Sequence, residues 1–211
     1  LCPTVIQLAP LDMIEECLIS KNLISGNVGN LLRAWIPFIH QILVHLDQNL
    51  YTIGNIKEAL CRHPELTIEL TECFKAKFDP ISHDYQKYLK LRNDFLEKVA
   101  KLDTGQEDND KRRKNVLLQC MNMVHHTLKT NFYRTNFTAI CFRLSPDYLD
   151  HVPFDLEKKF PEKPFAIFYM KGMHFFGYHI RFKDLARGGL RTIYPQHKEL
   201  AELEINNVFT E

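Results

Sequence analysis

Two arginines flank a pair of glycines near the end of the 211-residue chain, in the order Arg187-Gly188-Gly189-Leu190-Arg191. Because glycine has no Cβ, two successive glycines let the backbone approach a ligand closely. A guanidinium group can hold a carboxylate through two parallel hydrogen bonds. Such a segment could bind a dicarboxylate. From these five residues alone, however, a tight turn with solvent-exposed arginines is the better interpretation.

The residues before this pair of glycines extend the pattern. The segment from Gly177 reads Gly-Tyr-His-Ile-Arg-Phe-Lys-Asp-Leu-Ala-Arg-Gly-Gly-Leu-Arg. It resembles the large NAD-specific bacterial glutamate dehydrogenases, whose pattern is Gly-x-His-x-Arg-x-x-x-[Ile/Val/Leu]-Ala-Arg-Gly-Gly-Leu-Arg. The matching positions are Gly177, His179, Arg181, Leu185, Ala186, Arg187, Gly188, Gly189, Leu190 and Arg191. Upstream, Tyr133-Arg134-Thr135-Asn136 and Phe142-Arg143-Leu144-Ser145-Pro146 are also similar to that family, so the resemblance covers about 132–211.

The resemblance implies a reaction and a division of labour. The reaction is the NAD-dependent oxidation of L-glutamate to 2-oxoglutarate and ammonia, a step of amino-acid catabolism. Substrate binding would fall to Arg187, which helps to hold the distal carboxylate, to Gly188 and Gly189, which shape the pocket floor, and to Arg191, which matches the motif. The catalytic lysine and the NAD-binding domain would lie beyond Glu211. We therefore expect no catalytic, cofactor-binding or metal-binding residue within this chain, no activity from the chain alone, and a homo-oligomeric parent enzyme.

The chain departs from the family directly after this motif. Where the large enzymes usually continue Trp-Ser-Asp, this sequence reads Thr192-Ile193-Tyr194-Pro195. We expect the rim of the substrate pocket to differ accordingly.

Other chemically suggestive residues favour ordinary structural roles. His125 and His126 are adjacent on a predicted helix and point about 100° apart, so they cannot share a metal ion. His40 and His45 are five residues apart, and neither pair has a partner at zinc spacing. The basic run 111–114 could bind an anion or nucleic acid, but it follows an acidic run, and we interpret it as the end of a solvated linker.

The second part of the chain has the periodicity of strands. Residues 138–144 alternate, with Ile140, Phe142 and Leu144 on one face. Residues 165–182 predict a β-hairpin that turns at 171–173 and buries one face. The aromatic side chains of this hairpin could stack on single-stranded nucleic acid, but packing into a core is the better interpretation. A Gly-Gly loop and a helix from about Pro195 are expected to follow.

The first part has the periodicity of helices. We predict helices over 11–21 and 31–46, with a loop at 25–30 between them and either a kink or a new start at Pro37. Further helices are expected at 54–62 and 65–77, divided by Pro64, at 82–102 with Ser82 as the N-cap, and at 112–130. Residues 103–114 contain no apolar side chain to bury and predict a solvated loop or linker that joins two separate regions.

The composition of the chain excludes some classes of protein but does not indicate a specific function. The 27 basic and 26 acidic side chains give a net charge of +1, which argues against a nucleic-acid-binding protein. The six cysteines are scattered without a C-x-x-C pair, as expected for the reducing cytoplasm. No apolar run approaches the length of a membrane span. The first residues lack Met and the last lack a helix stop signal, so we expect a fragment of a longer protein.

Together these observations predict an α-rich α+β chain. Residues 1–131 would form a helical N-terminal region, and residues 132–211 the beginning of an α/β substrate-binding lobe with a β-hairpin. The function expected from the resemblance is part of the carboxylate pocket of an NAD-dependent glutamate dehydrogenase. The alternative is a non-catalytic α+β module for regulation or assembly, which uses its helical part as an interaction surface.

Overall fold

The computed structural model describes residues 12–152, 163–182 and, for the backbone alone, 189–193. Contacts within the chain divide it into a helical unit, Leu1–His125, and a sheet unit, His126–Glu211. The expected α-rich α+β class is confirmed, because within the described residues five α-helices precede a five-stranded sheet. Over the described ranges, none of the helices is both long and apolar enough to cross a membrane.

The described part of the helical unit starts with a short π-helix, Glu15–Ile19, and helix α1 spans Gly26–Leu43. Ser25 caps α1, since its Oγ accepts a hydrogen bond from the backbone N–H of Val28 at 3.3 Å. The predicted loop over 25–30 is therefore wrong, and α1 continues through Pro37. Gly29 is a packing residue here, because a Cβ at this position would collide with the Ile19 side chain.

Prolines and caps divide the helices that follow. Helix α2 spans Ile53–Arg62 and α3 spans Pro64–Phe78, which confirms the predicted boundary at Pro64. Helix α4 spans Tyr85–Ala100, and its N-cap is Asp84, whose carboxylate accepts from the backbone N–H of Lys87 at 2.9 Å. The prediction of Ser82 as the cap is wrong, because the Ser82 hydroxyl donates to Asp79 instead.

Helix α5 corrects the predicted linker. It spans Glu107–His126, so most of 103–114 is helical and the predicted helix at 112–130 starts too late and ends too late. Asp110, Arg112 and Arg113 are buried despite their charge. The guanidinium groups of Arg112 and Arg113 pair with Glu58 on α2, and the Asp110 carboxylate accepts from Thr104 and pairs with Arg113.

The sheet unit is built from five antiparallel strands in the order of the sequence. They are β1 Thr127–Thr130, β2 Ala139–Leu144, β3 Ala166–Gly172, β4 Phe176–Arg181 and β5 Gly189–Ile193. The hairpin predicted over 165–182 is confirmed as β3 and β4, and the alternation predicted for β2 is confirmed by the burial of Ile140, Phe142 and Leu144. A 3₁₀ helix, Pro146–His151, follows β2. Residues 127–130 were expected to be helical and form a strand.

Candidate functional site

One face of the sheet is a core of aromatic side chains. The Phe142 ring stacks on Tyr169 with centroids 6.0 Å apart, and Tyr169 packs on Tyr178 at 5.1 Å. All three are at most 1% exposed. Burial raises the pKa of Tyr169 and Tyr178 well above the usual value for tyrosine, so both phenols stay neutral. This face stabilises the fold, as the core interpretation of the hairpin aromatics predicts.

The opposite face carries a row of stacked groups across three strands. Register pairs Arg143 of β2 with Phe168 of β3, and Phe168 with His179 of β4. The Arg143 guanidinium lies 5.8 Å from the Phe168 ring centroid, and the Phe168 and His179 rings are stacked at 5.7 Å. A cation over an aromatic face is held in place by the ring quadrupole. All three side chains are partly exposed.

This row ends beside the strand that contains part of the predicted site. His179 pairs with Leu190 of β5, and on either side Gly189 pairs with Ile180 and Arg191 with Tyr178. Gly189 therefore opens a strand, which corrects the prediction of a Gly-Gly loop at that residue. Arg187, Gly188 and the predicted helix from Pro195 lie outside the described residues.

Sequence analysis missed Arg143 and Phe168 as members of a shared surface. Alternation along β2 places Arg143 on the face opposite Phe142. The pairing register between β2 and β3 places Arg143 opposite Phe168. This register cannot be deduced from the sequence of either strand alone.

The other charged side chains and the histidines considered as metal ligands contact neighbouring residues of the fold. Arg112 and Arg113 donate to Glu58 at 2.9 and 2.8 Å, so the basic run is neither a linker end nor a free anion patch. His125 is engaged in the helical unit, where its Nδ1 lies 2.7 Å from the Tyr88 hydroxyl. Among the side chains that the structure places, no group of three His, Cys, Asp or Glu residues is arranged to hold a metal ion.

Comparison with known proteins extends the resemblance over both units. Residues 94–202 match the family described as bacterial NAD-glutamate dehydrogenase, catalytic domain. Glutamate dehydrogenase 2 of Dictyostelium discoideum is 30% identical over 175 residues, which is 81% of this chain and 16% of that protein. The NAD-specific glutamate dehydrogenase of Saccharomyces cerevisiae is 35% identical over 137 residues, 61% of this chain and 12% of that protein.

A bacterial relative gives the same result. The NAD-specific glutamate dehydrogenase of Pseudomonas aeruginosa is 28% identical over 187 residues, 85% of this chain and 11% of that protein. The chain thus spans less than a fifth of the length of these relatives. The matched residues 94–202 include helix α5, the whole sheet and the Arg-Gly-Gly motif.

Proposed function

The chain belongs to the bacterial NAD-glutamate dehydrogenase family, and we propose that it forms part of the carboxylate pocket of an enzyme that oxidises L-glutamate to 2-oxoglutarate and ammonia. The observation that carries the proposal is the Arg-Gly-Gly motif within the matched residues, whose last residue, Gly189, is the first residue of strand β5. Its alternative, a tight turn with solvent-exposed arginines, does not account for the ten motif positions that agree with the family.

Strand β5 supports a role for the glycine pair. Gly189 is hydrogen-bonded into the sheet opposite Ile180, at the outer edge of β4. A strand residue without a Cβ leaves room for a ligand to approach the backbone. On this proposal Gly188 and Gly189 form the floor of the pocket, and the rigid antiparallel sheet fixes where that floor lies.

Arg187 is proposed to bind the distal carboxylate of the substrate. A bidentate, charge-assisted contact of this kind orients the substrate far from the carbon that reacts. Its strength is therefore about equal in the ground state and the transition state. Arg191 is proposed to add positive charge beside the same carboxylate.

The NAD site is proposed to lie outside the residues described here. NAD, when bound, accepts the hydride from the substrate. Dinucleotide-binding folds are parallel sheets with a glycine-rich turn before a helix. All four strand pairings in the described sheet are antiparallel, and the sequence contains no G-x-G-x-x-G. These residues do not fit the cofactor, so we assign them substrate binding alone.

Glutamate-dependent reduction of NAD tests the proposal. The intact protein that contains these residues should reduce NAD when glutamate is added. The purified 211-residue chain should show no turnover, because the residues that the structure describes form no dinucleotide-binding fold. An intact protein that folds and binds NAD but shows no glutamate-dependent reduction would overturn the proposed function. Turnover by the isolated chain would overturn the division of labour between this chain and the rest of the enzyme.

A further inference from the structure

A concave pocket of about 520 Å³ lies at the other side of the sheet unit, between β1, the 131–138 loop and β2. Its volume is in the range of small-molecule sites. Three cationic side chains, two asparagines and three phenylalanines contribute to its lining, and no carboxylate does. The residues that the inference uses are Lys129, Asn131, Arg134, Arg143 and Phe168.

The wall of this pocket is fixed by hydrogen bonds before any ligand is present. The Asn131 side chain accepts from the backbone N–H of Cys141 at 2.7 Å and donates to the carbonyl of Ala139 at 2.9 Å. The Arg134 backbone N–H donates to the Asn131 carbonyl at 2.9 Å. These bonds tie the loop to β2, so the cations are displayed from a pre-formed surface, which reduces the entropy lost on binding.

Within the described residues, no carboxylate neutralises the positive charge of the pocket. Within the described part of the chain, none of Lys129, Arg134 and Arg143 forms an ion pair with a carboxylate. Arg143 is held over the Phe168 ring, and its Nε is buried without a hydrogen-bond acceptor. A buried N–H without an acceptor is destabilising unless a ligand supplies one.

We propose that this pocket binds a small anion with at least two negative charges, such as a phosphorylated or polycarboxylic metabolite. Its oxygens would accept from the guanidinium groups of Arg143 and Arg134 and pair with the ammonium of Lys129. The three cations of the pocket lie on β1, the loop and β2, and β2 is three strand spacings, or roughly 14 Å, from β5. The inference therefore does not rest on the proposed dehydrogenase activity.

A small ligand fits this pocket better than a nucleic-acid strand. The whole chain has a net charge of +1, and its positive charge here is confined to one concavity. Binding of a polymer backbone uses an extended positive groove with bases stacked on aromatic side chains.

Calorimetry with two probes, inorganic pyrophosphate and citrate, tests the inference on the full chain. Saturable binding of either probe is expected, and the preferred probe distinguishes phosphate from carboxylate recognition. The double substitution Lys129→Gln and Arg134→Gln should weaken that binding by at least about tenfold, since it removes two charge-assisted contacts. Arg143→Lys keeps the positive charge but removes the planar guanidinium group that can donate two parallel hydrogen bonds. This substitution should weaken binding by a smaller factor.

The matched control is Lys87→Gln with Lys90→Gln, which removes the same charge from exposed positions that do not line the pocket. It should leave the affinity within about twofold, because these lysines do not line the pocket and exposed charges are screened by salt. Lys129 and Arg134 are themselves exposed, so their double variant is expected to fold, and circular dichroism checks this. Absence of saturable binding of both probes, or equal weakening by the control, would overturn the inference.

Discussion

The two units of the chain use arginine in opposite ways. In the helical unit, Arg112 and Arg113 are 11% and 7% exposed, and both donate to the carboxylate of Glu58. In the sheet unit, Arg134 and Arg143 line a pocket and have no carboxylate partner in the described chain. The same side chain therefore holds two helices together in one unit and is left available to a ligand in the other.

This difference separates arginines that stabilise the fold from arginines that are proposed to bind a ligand. A buried guanidinium must be paired, and here the pair joins α5 to α2 across more than 50 residues of sequence. Lys129, Arg134 and Arg143 have no such partner among the described residues, and an anion bound in the proposed pocket would supply one. Basic residues of this chain should therefore be classified by their partners rather than by clustering in the sequence.

The largest effect on stability is expected at the junction between α2 and α5. Glu58→Ala removes the shared carboxylate and leaves two buried guanidinium groups without it. Breaking a fully buried pair costs about 3–5 kcal/mol. Glu58 is 31% exposed, so we expect a loss of about 2 kcal/mol in the free energy of unfolding. Urea denaturation, followed by the helical signal in circular dichroism, measures it.

Two controls sharpen the comparison between the units. Glu72→Ala removes an exposed carboxylate from α3, and Arg134→Gln removes an exposed guanidinium from the sheet unit. Both should change the free energy of unfolding by less than about 0.5 kcal/mol. If Arg134→Gln were as destabilising as Glu58→Ala, the distinction between structural and ligand-binding arginines would be lost.

A smaller effect is expected on the pH dependence of the helical unit. Burial alone raises the pKa of Glu58, but the hydrogen bonds and charges of Arg113 and Arg112 outweigh it and lower that pKa below the ordinary value of 4.5. The folded state therefore binds this proton less readily than the unfolded state. The contribution to stability is present above about pH 4.5 and is lost as the pH falls through the folded pKa.

The variant Glu58→Gln isolates that contribution. At pH 7 it should be less stable than the wild type, and the difference should shrink as the pH is lowered from 5 to 3. Urea denaturation at several pH values measures the difference, with Glu72→Gln as the charge-matched control. A difference that stays constant over this range would mean that the charge of Glu58 does not stabilise the fold.

Local patterns in the sequence predicted the elements whose causes are local. Pro64 marked the boundary between two helices, and alternation along 139–144 gave the buried face of β2. The helical residues 107–111 were missed because the run 103–114 is entirely polar, and the pairing that buries Arg112 and Arg113 is with Glu58, 54 and 55 residues away. Strand β1 was missed because it has four residues, of which only Thr127 is fully buried, and follows directly on a helix.

In the candidate sites, too, local features could be predicted from the sequence and features formed by distant residues could not. The Arg-Gly-Gly motif is contiguous, so its resemblance to a family could be seen in the sequence alone. The pocket of Lys129, Arg134 and Arg143 is assembled by a loop and by pairing between strands. Its charges are separated in the sequence by uncharged residues, and only the fold shows that no carboxylate of the described chain pairs with them.

The central claim is that the sheet unit contributes substrate binding to a glutamate dehydrogenase, and the kinetics of Arg187→Ala in the intact enzyme test it most directly. A bidentate contact to a carboxylate is worth about 1.5–3 kcal/mol. The KM for glutamate should therefore rise roughly tenfold to a hundredfold, while the KM for NAD stays within about twofold. Arg187→Lys should raise the KM for glutamate less than Arg187→Ala does, because lysine keeps the positive charge but cannot donate two parallel hydrogen bonds. If both substitutions left the KM for glutamate within about twofold of the wild type, Arg187 would be a solvent-exposed turn residue and the claim would be contradicted.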